Sequence, residues 1–225
     1  MTARRRRSAA VAAAVLATGV LATACSVDGE PAESLVHRSV DPAAFPVGPG
    51  VEVTRVPPAQ LPAIVGDVSG NPVGARIDPE DCAPQAISPV PSQTVVQSGF
   101  GADNGASTPP PAYTTVITRT GDSVDDLAAA VRRCDRYRRG SVVEVSVAQR
   151  ALDGVPTVAG ADVFGYSRTE TSPGGDPVTT VLLIAQRRTI RVYATERITG
   201  PAPTGDRPDP ALVTLFEAAA AAGLR

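Results

Sequence analysis

Tryptophan and lysine are both missing from this chain, histidine occurs once and methionine once, and aromatic residues make up only 4% of the sequence. Without tryptophan and with so few aromatics, any core must be built from Val, Leu, Ile and Ala. A single histidine, His37, excludes a histidine-based metal cluster, and a Ser-His-Asp or Cys-His arrangement would have to recruit that one residue. No GxSxG elbow is present either. These absences point away from an enzyme and give no reason to expect a metal or another cofactor. What is abundant is Arg, Ala and Pro: all 21 basic residues are arginine, the amino-acid signature of a high-GC bacterial genome. The hydrophobic share of 43% and the charged share of 20% describe a globular chain, not a disordered one.

Long apolar runs are also scarce, and the one that stands out is N-terminal. Arg4, Arg5, Arg6 and Arg7 precede an uncharged stretch from Ser8 to Ala24, which ends in Leu21-Ala22-Thr23-Ala24-Cys25. A cationic head, an apolar middle and a small-residue end are the parts of a signal peptide. The apolar part is shorter than the ~20 residues a spanning helix needs. The ending resembles the lipobox of bacterial lipoproteins, with Ala22 where Leu is commoner. That resemblance implies a diacylglycerol on Cys25 and cleavage before it, so that two acyl chains hold the chain on the outer face of the cell membrane. Residues 1–24 are thus expected to be a signal peptide, 25–35 a lipidated cysteine with a flexible tether, and 36–225 a single extracytoplasmic domain. Once the leader is removed, seventeen of the 21 arginines remain against 23 acids, a net charge of −6. Such a chain has no general electrostatic reason to bind nucleic acid.

From Val36 to about Ala63 the sequence is rich in Pro, and Val51, Val53 and Val56 suggest an edge strand. Strands are expected over Thr94–Phe100, Ala112–Thr120, Ser141–Gln149, Asp162–Thr171, Val178–Gln186 and Thr189–Glu196. Val181-Leu182-Leu183-Ile184 is apolar on both faces and should lie centrally, covered on both sides. A helix is expected from Val124 to Arg139. Asp122 or Ser123 caps its start, Asp126 completes a Ser-x-x-Asp box, and Val124, Leu127, Val131 and Cys134 share one face. Asp209-Pro210 opens a second helix carrying Leu212, Phe216, Ala219 and Ala220 inward. The fold class is therefore α+β: a curved antiparallel β-sheet packed against two helices, with one disulfide.

Cys82 and Cys134 are the two cysteines left after Cys25, and paired thiols are the rule in an exported domain. They are expected to form a structural disulfide. Asp122, Asp125 and Asp126 read as complements to the helix dipole. Gly99-Phe100-Gly101-Ala102-Asp103-Asn104-Gly105 reads as a turn, since its spacing is not that of a phosphate loop and no helix follows. Arg132, Arg133, Arg136, Arg138 and Arg139 crowd the expected helix end. They serve either as solvated dipole complements or, for Arg132, Arg133, Arg136 and Arg139, as an anion-binding patch for lipid head groups or phosphorylated wall polymers.

The lipobox, the Pro-rich opening, the turn Pro79-Glu80-Asp81-Cys82, the Cys134-bearing helix and the strands after it together resemble actinobacterial, mycobacterial-type envelope lipoproteins of unknown function. These include relatives of the extracellular sensor domain of PknH-type serine/threonine kinases. The likeness departs at two points, the second disulfide and the tryptophan stretch of the kinase domain. It implies an α+β domain at the cell wall that senses a ligand and has no assigned catalytic residues. The first expectation is a non-enzymatic binding or sensor-like module with a cell-wall or lipid ligand. The alternative is a lipid or glycolipid carrier with a hydrophobic cavity between sheet and helices.

Overall fold

The computed structural model describes residues 33–102, 109–140, 143–200 and 205–225. The expected signal peptide, Cys25 and most of the tether lie outside the described residues, as does much of the glycine-rich turn. Nine strands form one sheet: β1 (Thr54–Arg55), β2 (Arg76–Asp78), β3 (Thr94–Phe100), β4 (Ala112–Arg119), β5 (Arg136–Gly140), β6 (Val145–Ala151), β7 (Asp162–Thr171), β8 (Val178–Arg187) and β9 (Ile190–Thr199). Their spatial order is β1-β3-β4-β9-β8-β7-β6-β5-β2, with antiparallel pairing throughout. Among the described residues three α-helices accompany them, namely α1 (Leu61–Ser69), α2 (Val124–Arg133) and α3 (Pro210–Gly223). The α+β class holds, with one helix more than the sequence suggests.

The doubly apolar β8 sits mid-sheet and separates two cores. Leu182 and Ile184 point to the face covered by α1 and α2, where they meet Val65, Val131 and Tyr193. Val181, Leu183 and Ala185 point to the other face and meet Leu212, Phe216 and Ala219 of α3. Helix α3 lies so close that a Cβ on Gly223 would come within 2.5 Å of Val192. Leu35, Val40 and Phe45 complete this second core. Leu35 N–H donates to Ser92 O at 2.8 Å, so Leu35, one residue before the expected boundary at 36, is already bonded to the domain. The buried Gln97 side chain accepts from Val40 N–H at 2.7 Å and donates back to its carbonyl at 3.0 Å, standing in for a strand partner.

Three local expectations need correction. The helix expected over Val124–Arg139 ends at Arg133. From Arg136 the chain is strand β5, with exposed Arg136 and Arg138 alternating with buried Tyr137 and Arg139. Pairing with β2 and β6 outweighs the helical preference of the arginines. The following strand runs over Val145–Ala151 in place of Ser141–Gln149, because β5 already occupies the residues before Ser141. The Pro-rich margin contributes only Thr54–Arg55 as an edge strand, and then α1.

Candidate functional site

Helix α3 packs on β4, β8 and β9, which leaves the same face of β5, β6 and β7 without a helix over it. The register places side chains on this open face in rows. Thr179, Thr169, Ala148 and Arg136 lie opposite one another across four strands, and Val181, Ser167 and Arg150 form a parallel row. A third row runs Thr171, Ser146, Arg138, Asp78. Two hollows of about 710 and about 560 Å³ lie here and share Arg136, Ala148 and Thr169, so they form one groove. The end of α2, with Arg132 and Asp135, and the segment carrying Gly205 and Arg207 wall off the larger hollow.

The groove is cationic and rich in hydroxyls. Arg150 pairs with Asp206, and Arg138 pairs with Asp78 at 2.8 Å and Glu144 at 3.5 Å. Arg132, Arg136 and Arg207 have no acidic partner within 4.0 Å among the described residues. The Arg132 side chain borders the larger hollow, while its guanidinium lies 5.7 Å from the centre of the ring of Phe164, a residue of the α1/α2 core. Thr169 and Thr179 hydroxyls are hydrogen-bonded to each other at 3.0 Å. No aromatic ring lines the larger hollow.

Of the four arginines expected to form one anion patch, the structure brings only Arg132 and Arg136 to this groove. Arg133 is exposed and reaches Asp81 O at 3.5 Å. Arg139 points to the opposite face, where it donates to Glu170 at 2.6 Å and to Gly70 O at 3.3 Å. The patch divides because strand alternation sends neighbours to opposite sides of the sheet. Arg150 and Arg207 were missed by sequence reasoning, since one falls just past the end of the strand expected over Ser141–Gln149 and the other in a polar loop far along the chain.

Around Arg139 lies a buried cluster. Arg168 donates to Glu170 at 2.9 Å, to Val68 O at 3.1 Å and to Asp67 O at 2.6 Å. Two guanidinium groups therefore satisfy the last carbonyls of α1, and the Glu170 carboxylate balances them. Burial works against the Arg168 charge, yet the surrounding Tyr166 and Glu170 raise its pKa on balance. Tyr137, on the same face, has a buried hydroxyl with no partner among the described residues, and burial pushes its pKa up to about 12.

The remaining expected residues are placed plainly. Cys82 and Cys134 form a disulfide with Cα atoms 5.5 Å apart, tying the turn after β2 to the α2–β5 junction beside the groove. Ser123 Oγ accepts from Asp126 N–H at 3.0 Å, the expected N-cap. His37 is exposed, 3.7 Å from Glu33. Among the described residues no cluster of His, Cys, Asp and Glu is arranged to hold a metal ion, and no helix is long and apolar enough to cross a membrane. No protein-family model matches the chain, and no curated protein matches it. A solved structure of an uncharacterised Mycobacterium smegmatis protein, the Rv0999 ortholog, is similar to it at a TM-score of 0.46 and 16% identity, over 83% of this chain and 98% of that one.

Proposed function

We propose that the protein is a non-enzymatic, sensor-like binding module of the envelope, anchored through a lipid on Cys25, with the open sheet face as its binding surface. The observation that carries this reading is the groove itself. Most of the sheet is covered by helices or by the N-terminal segment, whereas here two joined hollows of ligand size are left open and lined by arginines and hydroxyls. The resemblance to actinobacterial envelope lipoproteins, and the leader before Cys25, favour the same location. A carrier cavity between sheet and helices has less support, since α3 is packed against the sheet too closely to admit even a methyl group at Gly223.

Two substitutions test the reading. Cys25→Ala is expected to release the protein into the medium; retention on membranes after a salt wash would remove the anchor from the account. Ala148→Trp, at the exposed residue shared by both hollows, is expected to abolish retention of the full chain on delipidated envelope material while the melting temperature stays near wild type. Undiminished retention would mean that the groove is not the binding face. Stoichiometric lipid in organic extracts of the natively purified protein would favour the carrier.

A further inference from the structure

The groove's chemistry narrows the kind of ligand it can hold. Its charged lining consists of five arginines, namely Arg132, Arg136, Arg138, Arg150 and Arg207, set against Asp78 and Asp135, with Asp206 paired to Arg150 and Glu144 paired to Arg138 just outside. Behind them stand hydroxyl donors from Ser146, Ser167 and Thr169. This is a local reversal of sign in a chain whose net charge is −6 without its leader. Guanidinium groups only donate, and their planar forks match the oxygens of phosphate. A phosphodiester, like a carboxylate, presents two charged oxygens that a guanidinium fork can take, and its repeat along a polymer offers one such group to each of several separate arginines. A neutral sugar ring would be expected to find an aromatic platform; among the described residues the larger hollow has none, and Tyr137, which borders the smaller one, turns its ring into the cluster on the opposite face.

The groove's shape separates a polymer from a bilayer surface. The row from Thr179 to Arg136 crosses three strand spacings, roughly 14 Å at about 4.8 Å each, and the second hollow continues toward Asp78. Such a trough accommodates several repeating units of a chain. Among the described residues the exposed large apolar side chains, Val36, Val73, Val90, Phe100 and Val143, all lie outside the lining, and only Val143, next to Glu144, is near it.

Taking the groove to be the binding face, as proposed above, we infer that it holds a segment of a soluble phosphodiester polyanion on the wall side of the membrane. Arg136 and Arg207, which have no ion-pair partner among the described residues, contact successive phosphates, and Arg132 borders the larger hollow with its guanidinium against Phe164. Arg150 and Arg138 are held by their carboxylate partners at the margins.

The test uses the full chain purified in detergent and titrated with synthetic oligo(glycerol phosphate). Oligoglutamate of equal charge and phosphatidylglycerol vesicles serve as comparison ligands. Saturable binding to the phosphodiester oligomer is expected, weakening at least tenfold in Arg136→Gln and in Arg207→Gln. Arg136→Lys should recover it only in part, and Arg55→Gln on the far edge strand should leave it unchanged. The inference is overturned if the oligomer does not bind, if oligoglutamate binds as tightly, or if both glutamine variants bind like wild type. Binding to vesicles without binding to the oligomer would assign the site to lipid head groups and overturn it too. If Ala148→Trp abolishes envelope retention while the oligomer fails to bind, the groove stands as a binding face and only the phosphodiester assignment falls. If Ala148→Trp leaves retention intact, the groove reading itself fails.

Discussion

Glu196 is a buried carboxylate with no arginine among its hydrogen-bond or ion-pair partners on the described residues. It is 7% exposed, and the Tyr113 hydroxyl donates to it at 2.9 Å. Removal from water pushes its pKa up. The hydrogen bond from Tyr113 pulls it partly back, and the Asp209 charge nearby adds to the rise. The folded state therefore binds more protons than the unfolded chain from the ordinary carboxylate range up to the raised value. Stability falls as pH rises through that window, and the penalty is fully present above it. Glu196→Gln keeps an acceptor for Tyr113 and removes the charge. The variant is expected to melt above wild type at pH 7, with the gap closing below the ordinary carboxylate range. A gap that does not change with pH would show that Glu196 is not the group responsible.

Among the elements, the buried cluster behind β5 explains both a strength and a failure of reading the sequence. Strands β3, β4, β7, β8 and β9 and helix α3 were legible because their apolar residues follow the period of the element they form. In Arg136-Tyr137-Arg138-Arg139 the same period is present, but Arg138 faces solvent and Arg139 the interior, so residue type does not reveal it. In β7, Arg168 occupies an inward position normally taken by an apolar residue. Helix α1 was hidden by Pro62 and by Gly66, where a Cβ would come 3.0 Å from Asn71 O, so a residue that argues against a helix is required there by packing. The cluster is expected to be the tie between α1 and the sheet. Removing the carboxylate that both bond, with Glu170→Ala, leaves Arg139 and Arg168 buried without their paired carboxylate, which should cost about 3–5 kcal/mol. Urea unfolding measures it, and a loss below ~1 kcal/mol, the value of an exposed ion pair, would show that the α1 carbonyls alone satisfy the two arginines.

At the scale of the whole molecule, the two edges of the sheet differ in what holds them. On one side β1 lies over a domain margin threaded into the α3 core by Leu35, Val40 and Phe45. On the other, β2 has three residues, pairs only with β5, and has behind it the small cluster of Ile77, Tyr137 and Val147. The Cys82–Cys134 bridge closes this second edge with a sequence separation of 52, for which the chain-entropy account gives roughly 4 kcal/mol. The pairing was legible in the cysteine count. The groove beside it was not, because it gathers residues from α2, five strands and a late loop, and no local pattern records that juxtaposition. Cooperativity across the sheet is therefore expected to be uneven. In Cys82→Ser with Cys134→Ser, amide exchange of Arg76–Asp78 and Arg136–Gly140 should accelerate well before that of β8 and β9, whose side chains are buried on both faces. Because Arg136 and Arg138 line the groove from this edge, binding there should weaken in parallel while the α3 core stays folded. Equal acceleration across all strands would mean that the bridge stabilises the domain as one unit and has no particular hold on the binding face.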